Sequence, residues 1–267
     1  MGASKQFSKS IAVGLMLGGL SLSCHADLYE DGLIAYASGE HALASSYFID
    51  AAEHGNVGAQ HMLARLFSEG IGVPRDSAAA LKWTKQAAEG GIALAQYNLA
   101  EMYLNGDVAV ADDAAMYQWY AKSAKAGVVM SYYRMGQLTE QGRGVAKDAA
   151  EAKYIYGIAA AELDVFAQKG DPRSQNTLAS LYENGKGVAQ NYARAVQWYR
   201  QAANQGFAEA QFNVGRMFAA GNGVDKNELE AMSWFRRAAE QGYSKAKAVL
   251  DAMVKDGHGS VAMMGNR

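Results

Sequence analysis

The chain has 267 residues, half of them hydrophobic and 19% charged, which is enough apolar material for one large or two ordinary domains and excludes general disorder. Its formal net charge is −2 and no segment carries a run of Lys or Arg, which excludes the basic footprint of a nucleic-acid partner or an anionic membrane surface. There are 29 glycines against two prolines, and so much glycine needs a positional explanation, since inside a helix it costs roughly 1 kcal/mol relative to alanine.

The first 26 residues have the layout of a secretory signal peptide. Lys5 and Lys9 form a short basic region, an apolar stretch runs from Ile11 to Leu22, and no acidic residue precedes Asp27. The stretch is too short to span a bilayer comfortably. Cys24 and Ala26 fit the small-x-small rule for cleavage after Ala26, which places the mature protein in the periplasm or outside the cell. The alternative is a lipoprotein held at the membrane through a lipidated Cys24, although Ser21 and Leu22 depart from the usual lipobox. Cys24 is the single cysteine, so the mature body has no internal disulfide.

Residues 28–55 read as an abbreviated opening helix pair with a tight turn at Gly39. Beyond them the chain repeats itself. The segments FIDAAEHG, TKQAAEGG, YAKSAKAG, VFAQKG, YRQAANQG and FRRAAEQG end at Gly55, Gly91, Gly127, Gly170, Gly206 and Gly242, at intervals of 36, 36, 43, 36 and 36 residues. The odd interval exceeds the others by seven residues, about two helical turns, which preserves the buried face. We therefore expect the helix that starts near Asp148 to run two turns longer, through Ala159 to Lys169.

Each unit predicts two helices. The first follows the pattern Ala-Gln-x-x-Leu-Ala-x-x-aromatic-x-x-Gly, as at Ala95, Gln96, Leu99, Ala100, Tyr103 and Gly106, which places apolar residues on one helical face. Loops such as Gly70-Ile-Gly72-Val73 and Gly185-Lys-Gly187-Val188 follow, their first glycine suited to the left-handed residue past a helix end. The second helix begins on a capping side chain. Asp76, Asp112, Asp148, Asn191 and Asn227 stand seven residues before Trp83, Trp119, Ile155, Trp198 and Trp234, and such a cap is worth about 1 kcal/mol. Asp171-Pro172 gives the same cap to a first helix. Residues 243–254 read as a lone closing helix and 255–267 as a loose tail.

The combination G-x-G-V, then Asp or Asn, then W-x-x-x-A-A-x-x-G resembles the Sel-1-like repeat, a relative of the tetratricopeptide repeat, and covers nearly all of residues 27–254. The resemblance implies an all-α, right-handed α-α superhelix of five repeats between the opening pair and the closing helix. It also implies a non-enzymatic protein- or peptide-binding scaffold that regulates an envelope complex in the periplasm, with no cofactor. Some Sel-1-like proteins are linked to β-lactam or penicillin binding, which leaves a hydrolase or binder of β-lactams or peptidoglycan fragments as one alternative and a secreted host-protein-binding factor as another.

The residues offer little chemistry. The histidines His41, His54, His61 and His258 lack zinc-ligand spacing, and neither H-E-x-x-H nor G-x-S-x-G occurs. One S-x-x-K, Ser244 to Lys247, stands without a second motif. The tryptophans and the aromatics after them (Tyr120, Tyr156, Tyr199, Phe235) recur at a fixed place, as packing residues do. Partner contact is left to the first helices, which line the concave side of such arrays. The sixth residue after each repeat glycine gives His61, Tyr97, Tyr133, Asn176 and Phe212, and the seventh Met62, Asn98, Arg134, Thr177 and Asn213. The tenth gives Arg65, Glu101, Gln137, Ser180 and Arg216. Three- and four-residue spacings align these columns as stripes. The candidate partner-binding residues are Tyr97, Asn98, Glu101, Tyr133, Arg134, Gln137, Thr177, Phe212, Asn213 and Arg216.

Overall fold

The computed structural model describes residues 21–108 and 112–255, and every regular element among them is a helix. Residues 1–20, which hold most of the expected leader, and 256–267, most of the expected tail, lie outside the described residues. The chain divides into two compact units, Met1–Ala95 and Gln96–Arg267.

The first unit contains α1 (Ser21–Ala37), α2 (His41–Glu53), α3 (Val57–Glu69) and α4 (Ser77–Glu89). Its core gathers Ala44, Phe48, Leu63, Leu66 and Trp83. The Phe48 ring lies where a side chain on Gly32 would otherwise stand, so the first helix of the opening pair uses glycine to let the second approach.

The boundary falls inside α5 (Ala93–Asn105). The second unit continues with α6 (Asp113–Lys125), α7 (Val129–Gln141), α8 (Ala149–Gln168), α9 (Pro172–Asn184) and α10 (Tyr192–Asn204). It closes with α11 (Ala208–Ala220), α12 (Glu228–Glu240) and α13 (Ser244–Lys255). Neighbouring helices pack in sequence, around Tyr120 and Leu138, then Tyr156 and Leu178, then Tyr199 and Phe235.

Local chemistry sets these boundaries as the sequence predicts. Asp76, Asp112, Asp148, Asn191 and Asn227 each accept from a backbone N–H of the first turn, and Asp171 does so ahead of Pro172. Gly70, Gly142, Gly185 and Gly221 close first helices in the left-handed region. The small residues Ala59, Ala95, Ser131, Ser174 and Ala210 are all buried.

Among the repeated aromatics, Tyr120, Tyr156, Tyr199 and Phe235 are at most 2% exposed and Trp83 and Trp234 are buried, whereas Trp119 and Trp198 are only partly buried. The smaller ring inserts between helices of its own pair. The Trp119 indole lies nearer the surface, where Lys122 Nζ sits 4.0 Å above its ring.

The long helix alters the stacking register. α8 has 20 residues where α6, α10 and α12 each have 13. Its own first helix, α7, reads the N-terminal part: Tyr156, placed after the cap as Tyr120 and Tyr199 are, fills the space left by Gly136. The following repeat reads the C-terminal part. Gln175 Nε2 donates to the Ala167 carbonyl at 3.0 Å, as Gln211 does to Ala203 at 3.2 Å and, in the first unit, Gln60 to Ala52 at 3.3 Å. A β-carbon at Gly187 would overlap the main chain of Tyr156 and Gly157, whereas one at Gly144 would overlap Asp113, the first residue of its helix. The repeat after α8 is thus seated seven residues further along the helix, a displacement of about 10 Å at 1.5 Å per residue.

Candidate functional site

Three buried tyrosines of second helices each donate to a glutamate of the paired or preceding first helix. Tyr120 Oη lies 2.7 Å from Glu101 Oε1, Tyr156 Oη 3.0 Å from Glu140 Oε2, and Tyr199 Oη 2.7 Å from Glu183 Oε2. The glutamate stands at the tenth or the thirteenth position after the repeat glycine, one helical turn apart. Where the tyrosine is replaced, by Thr84 or Phe235, neither position holds glutamate: Arg65 and Ser68 stand in one repeat, Arg216 and Ala219 in the other. A phenol buried beside a carboxylate stays protonated, and burial followed by the neighbouring negative charge pushes Tyr199 far above the ordinary tyrosine range.

Arginines of the next first helix complete the glutamates' coordination. Arg134 on α7 reaches back to α5 and grips Glu101 with both prongs, Nε to Oε1 at 2.7 Å and Nη2 to Oε2 at 2.8 Å. Its Nη1 donates to Gln137 at 3.2 Å. Burial opposes the Arg134 charge, but the hydrogen bond and charge of Glu101 outweigh it and leave the guanidinium more firmly protonated than usual. Two pairs further on, Arg216 of α11 reaches Glu183 of α9, with Nη2 3.0 Å from each carboxylate oxygen. Asn213 Nδ2 donates to Asn176 Oδ1 at 2.9 Å across the same two helices. Between these clamps, Lys186 of the α9–α10 loop bonds Glu140 at 2.6 Å and, with the Tyr156 hydroxyl, holds that carboxyl below the usual carboxylate range despite its burial.

The structure sorts the predicted residues into distinct jobs. Tyr97, Tyr133 and Phe212 turn one edge inward and meet Tyr120, Tyr156 and Phe235 at centroid distances of 5.7, 6.0 and 5.4 Å. Glu101, Arg134 and Gln137 form one clamp, and Asn213 and Arg216 belong to the other. Thr177 is buried, its hydroxyl donating to the Arg173 carbonyl at 2.9 Å. Asn98 is exposed.

Five of the ten, Tyr133, Arg134, Thr177, Asn213 and Arg216, come together around a cleft of about 500 Å³ between α7, α9 and α11. Its lining is polar and carries both signs of charge. Arg173, Asn176, Ser180, Glu183 and Glu209 also contribute. Arg173 and Glu209 stand third after their repeat glycines and Glu183 thirteenth, outside the sixth, seventh and tenth columns. They lie one turn before and one turn after the counted columns, so continuing the helical spacing finds them. The matching of tyrosine to glutamate between repeats is a second signal already present in the sequence. Ser244 and Lys247 are both exposed on the first turn of α13 and take no part in the cleft.

This arrangement matches known proteins along most of the chain. A family model described as "Sel1 repeat" matches residues 57–92, 93–128, 129–162, 172–207 and 208–243. The third match ends where α8 exceeds the standard length. A Sel1 repeat protein from Oxalobacter formigenes is 29% identical, with a TM-score of 0.67 over 86% of this chain and 89% of that one. A protective antigen present in uropathogenic Escherichia coli strains, displaying an SLR fold, is 32% identical with a TM-score of 0.58 over 87% of this chain, which spans 49% of the antigen. A sel1-like repeat-containing protein of Acanthamoeba polyphaga mimivirus is 43% identical over 49 residues, 18% of this chain and 9% of that protein. With five repeats matched in register, and with their helix pairs, caps and glycines in place, the chain belongs to the Sel1 repeat family.

Proposed function

We propose that this protein is an exported, non-enzymatic interaction scaffold whose polar cleft between α7, α9 and α11 receives an extended segment of a partner protein. Sel1-repeat proteins are typically protein–protein interaction scaffolds. The observation that carries the reading is the composition of the cleft. Its walls offer Asn176, Asn213 and Ser180, side chains able to donate to and accept from a peptide backbone, beside the cationic Arg173. The Glu183–Arg216 and Glu101–Arg134 pairs hold the walls in place. A volume near 500 Å³ accommodates a few residues of extended chain rather than a folded surface. Export rests on the basic-then-apolar pattern of residues 1–26.

A photo-reactive residue introduced at Ser180 tests the cleft. It is expected to cross-link a partner in cells, and Arg173→Ala with Asn213→Ala should reduce that adduct by roughly tenfold or more, the loss of two polar contacts, while thermal unfolding stays cooperative. An adduct of undiminished yield counts against this surface. The mature N-terminus tests export: Asp27 or a lipid-bearing Cys24 supports it, and an uncleaved chain confined to the cytoplasm refutes it.

A further inference from the structure

The cleft opens where the arginine ties between first helices are interrupted. Arg134 holds the seventh position of α7 and Arg216 the tenth of α11, and each reaches back to the preceding first helix. In α9 those two positions are Thr177 and Ser180, neither of them a cation. The offset introduced by α8 also sets the seventh residue of α9 against the third of α7, with Thr177 Oγ1 3.7 Å from Met130 Sδ. Across α9 and α11 the seventh residue meets the sixth instead, Asn213 against Asn176. The charges lining the cleft divide accordingly. Arg134, Arg216 and Glu183 are spent on ion pairs within the chain. Arg173 and Glu209 are exposed, and neither enters an ion pair among the described residues. Both stand third after a repeat glycine, on the successive first helices α9 and α11, so the cleft presents one unspent positive charge and one unspent negative charge on neighbouring walls.

We propose that the segment received by the cleft carries an acidic and a basic side chain two positions apart, the acid seated on Arg173 and the base on Glu209. This rests on the reading of the cleft as a partner site and adds what the partner must offer. Alternate side chains of an extended chain point the same way about 7 Å apart. That spacing suits long charged side chains rising from helices whose axes lie about 8–10 Å apart. A segment with charges of one sign meets attraction at one of the two residues and repulsion at the other, so its gain cancels. Only a segment with both signs satisfies both walls. Like charges brought together at a rim cost affinity while opposite charges fix the register. The pair therefore selects against uniformly acidic and uniformly basic chains alike, specificity obtained by repulsion as much as by attraction.

Selection of a random octapeptide library, displayed on phage, against the purified full chain tests the proposal. Clones are assigned to the cleft by loss of binding on Ser180→Trp, which fills it, or on Ser180→Arg should the first variant unfold. The expected result among them is enrichment of an acid and a base two positions apart. Arg173→Glu should convert the enriched pair to two bases, and Glu209→Arg should convert it to two acids. Lys153→Glu makes the same change in net charge as Arg173→Glu but on the exposed surface of α8, and should leave the pair as it was. In one enriched peptide, exchange of the acid for lysine should weaken binding by roughly tenfold, and Arg173→Glu should recover most of that loss. Clones directed to the cleft without such a pair overturn the proposal and leave the cleft a partner site. So does a pair that ignores Arg173→Glu, or one that Lys153→Glu shifts equally. If no clone is directed to the cleft, the partner-site reading falls and the proposal with it.

Discussion

At the residue scale, Glu183 holds more of the second unit together than its position on the face of a helix suggests. Its carboxylate accepts from the buried Tyr199 and grips Arg216 of the next first helix, with only 11% of its side chain exposed. Glu183→Ala leaves a buried hydroxyl and a half-exposed guanidinium without their acceptor, and should cost about 2–3 kcal/mol in urea unfolding. Tyr199→Phe removes one donor and keeps the ion pair, and should cost only about 1 kcal/mol. The reverse order would show that the hydroxyl, and not the carboxylate, is the centre of the cluster. In the first unit, burial and the nearby Arg65 charge hold the His61 imidazole below its ordinary range. The unfolded chain therefore binds that proton more readily than the folded one. Stability contributed by neutral His61 is complete above the unfolded value of about 6.5 and is lost as pH falls through the lower folded value. His61→Gln should flatten the fall in thermal midpoint as the pH drops below about 6.5; an unchanged slope would assign the fall to other groups.

At the element scale, the helix boundaries were almost wholly legible, because caps and left-handed glycines act through neighbours a few residues away. The two-turn extension was legible for the same reason, as an arithmetic excess in the repeat interval. The consequence of the extension was not. Nothing local in residues 149–168 says that α7 reads one end of α8 and α9 the other; that appears only once Gln175 and Gly187 are seen against the helix main chain. The cleft was half legible. The repeat columns single out Arg134, Asn213 and Arg216 as a face open to a partner, since a sequence does not show a guanidinium reaching back 33 residues to its glutamate. Gly187 and Gly170 separate the two demands placed on glycine. Both have positive φ, 70° and 95°, but Gly187 sits against main chain and Gly170 faces open space. Gly170→Ala should cost about 1–2 kcal/mol, the left-handed penalty alone. Gly187→Ala should cost at least about twice that, because the loop must also lift off α8. Equal losses would mean that the loop gives way freely.

At the scale of the whole molecule, each pair of the array draws stability from itself and from its neighbours. The polar links follow one direction: Arg134 looks back to Glu101, Arg216 to Glu183, and Lys186 to Glu140. Each of these three needs its glutamate in the repeat before it, at the tenth or the thirteenth position. The repeats descend from one pattern, yet they are no longer interchangeable bricks. Shuffling, duplicating or deleting one would set an arginine opposite serine, leucine or alanine, and would move the register step of α8 to a place where no neighbour is cut to fit it. The order of the repeats has become heritable information in its own right, fixed by side chains that fit only the predecessor they have.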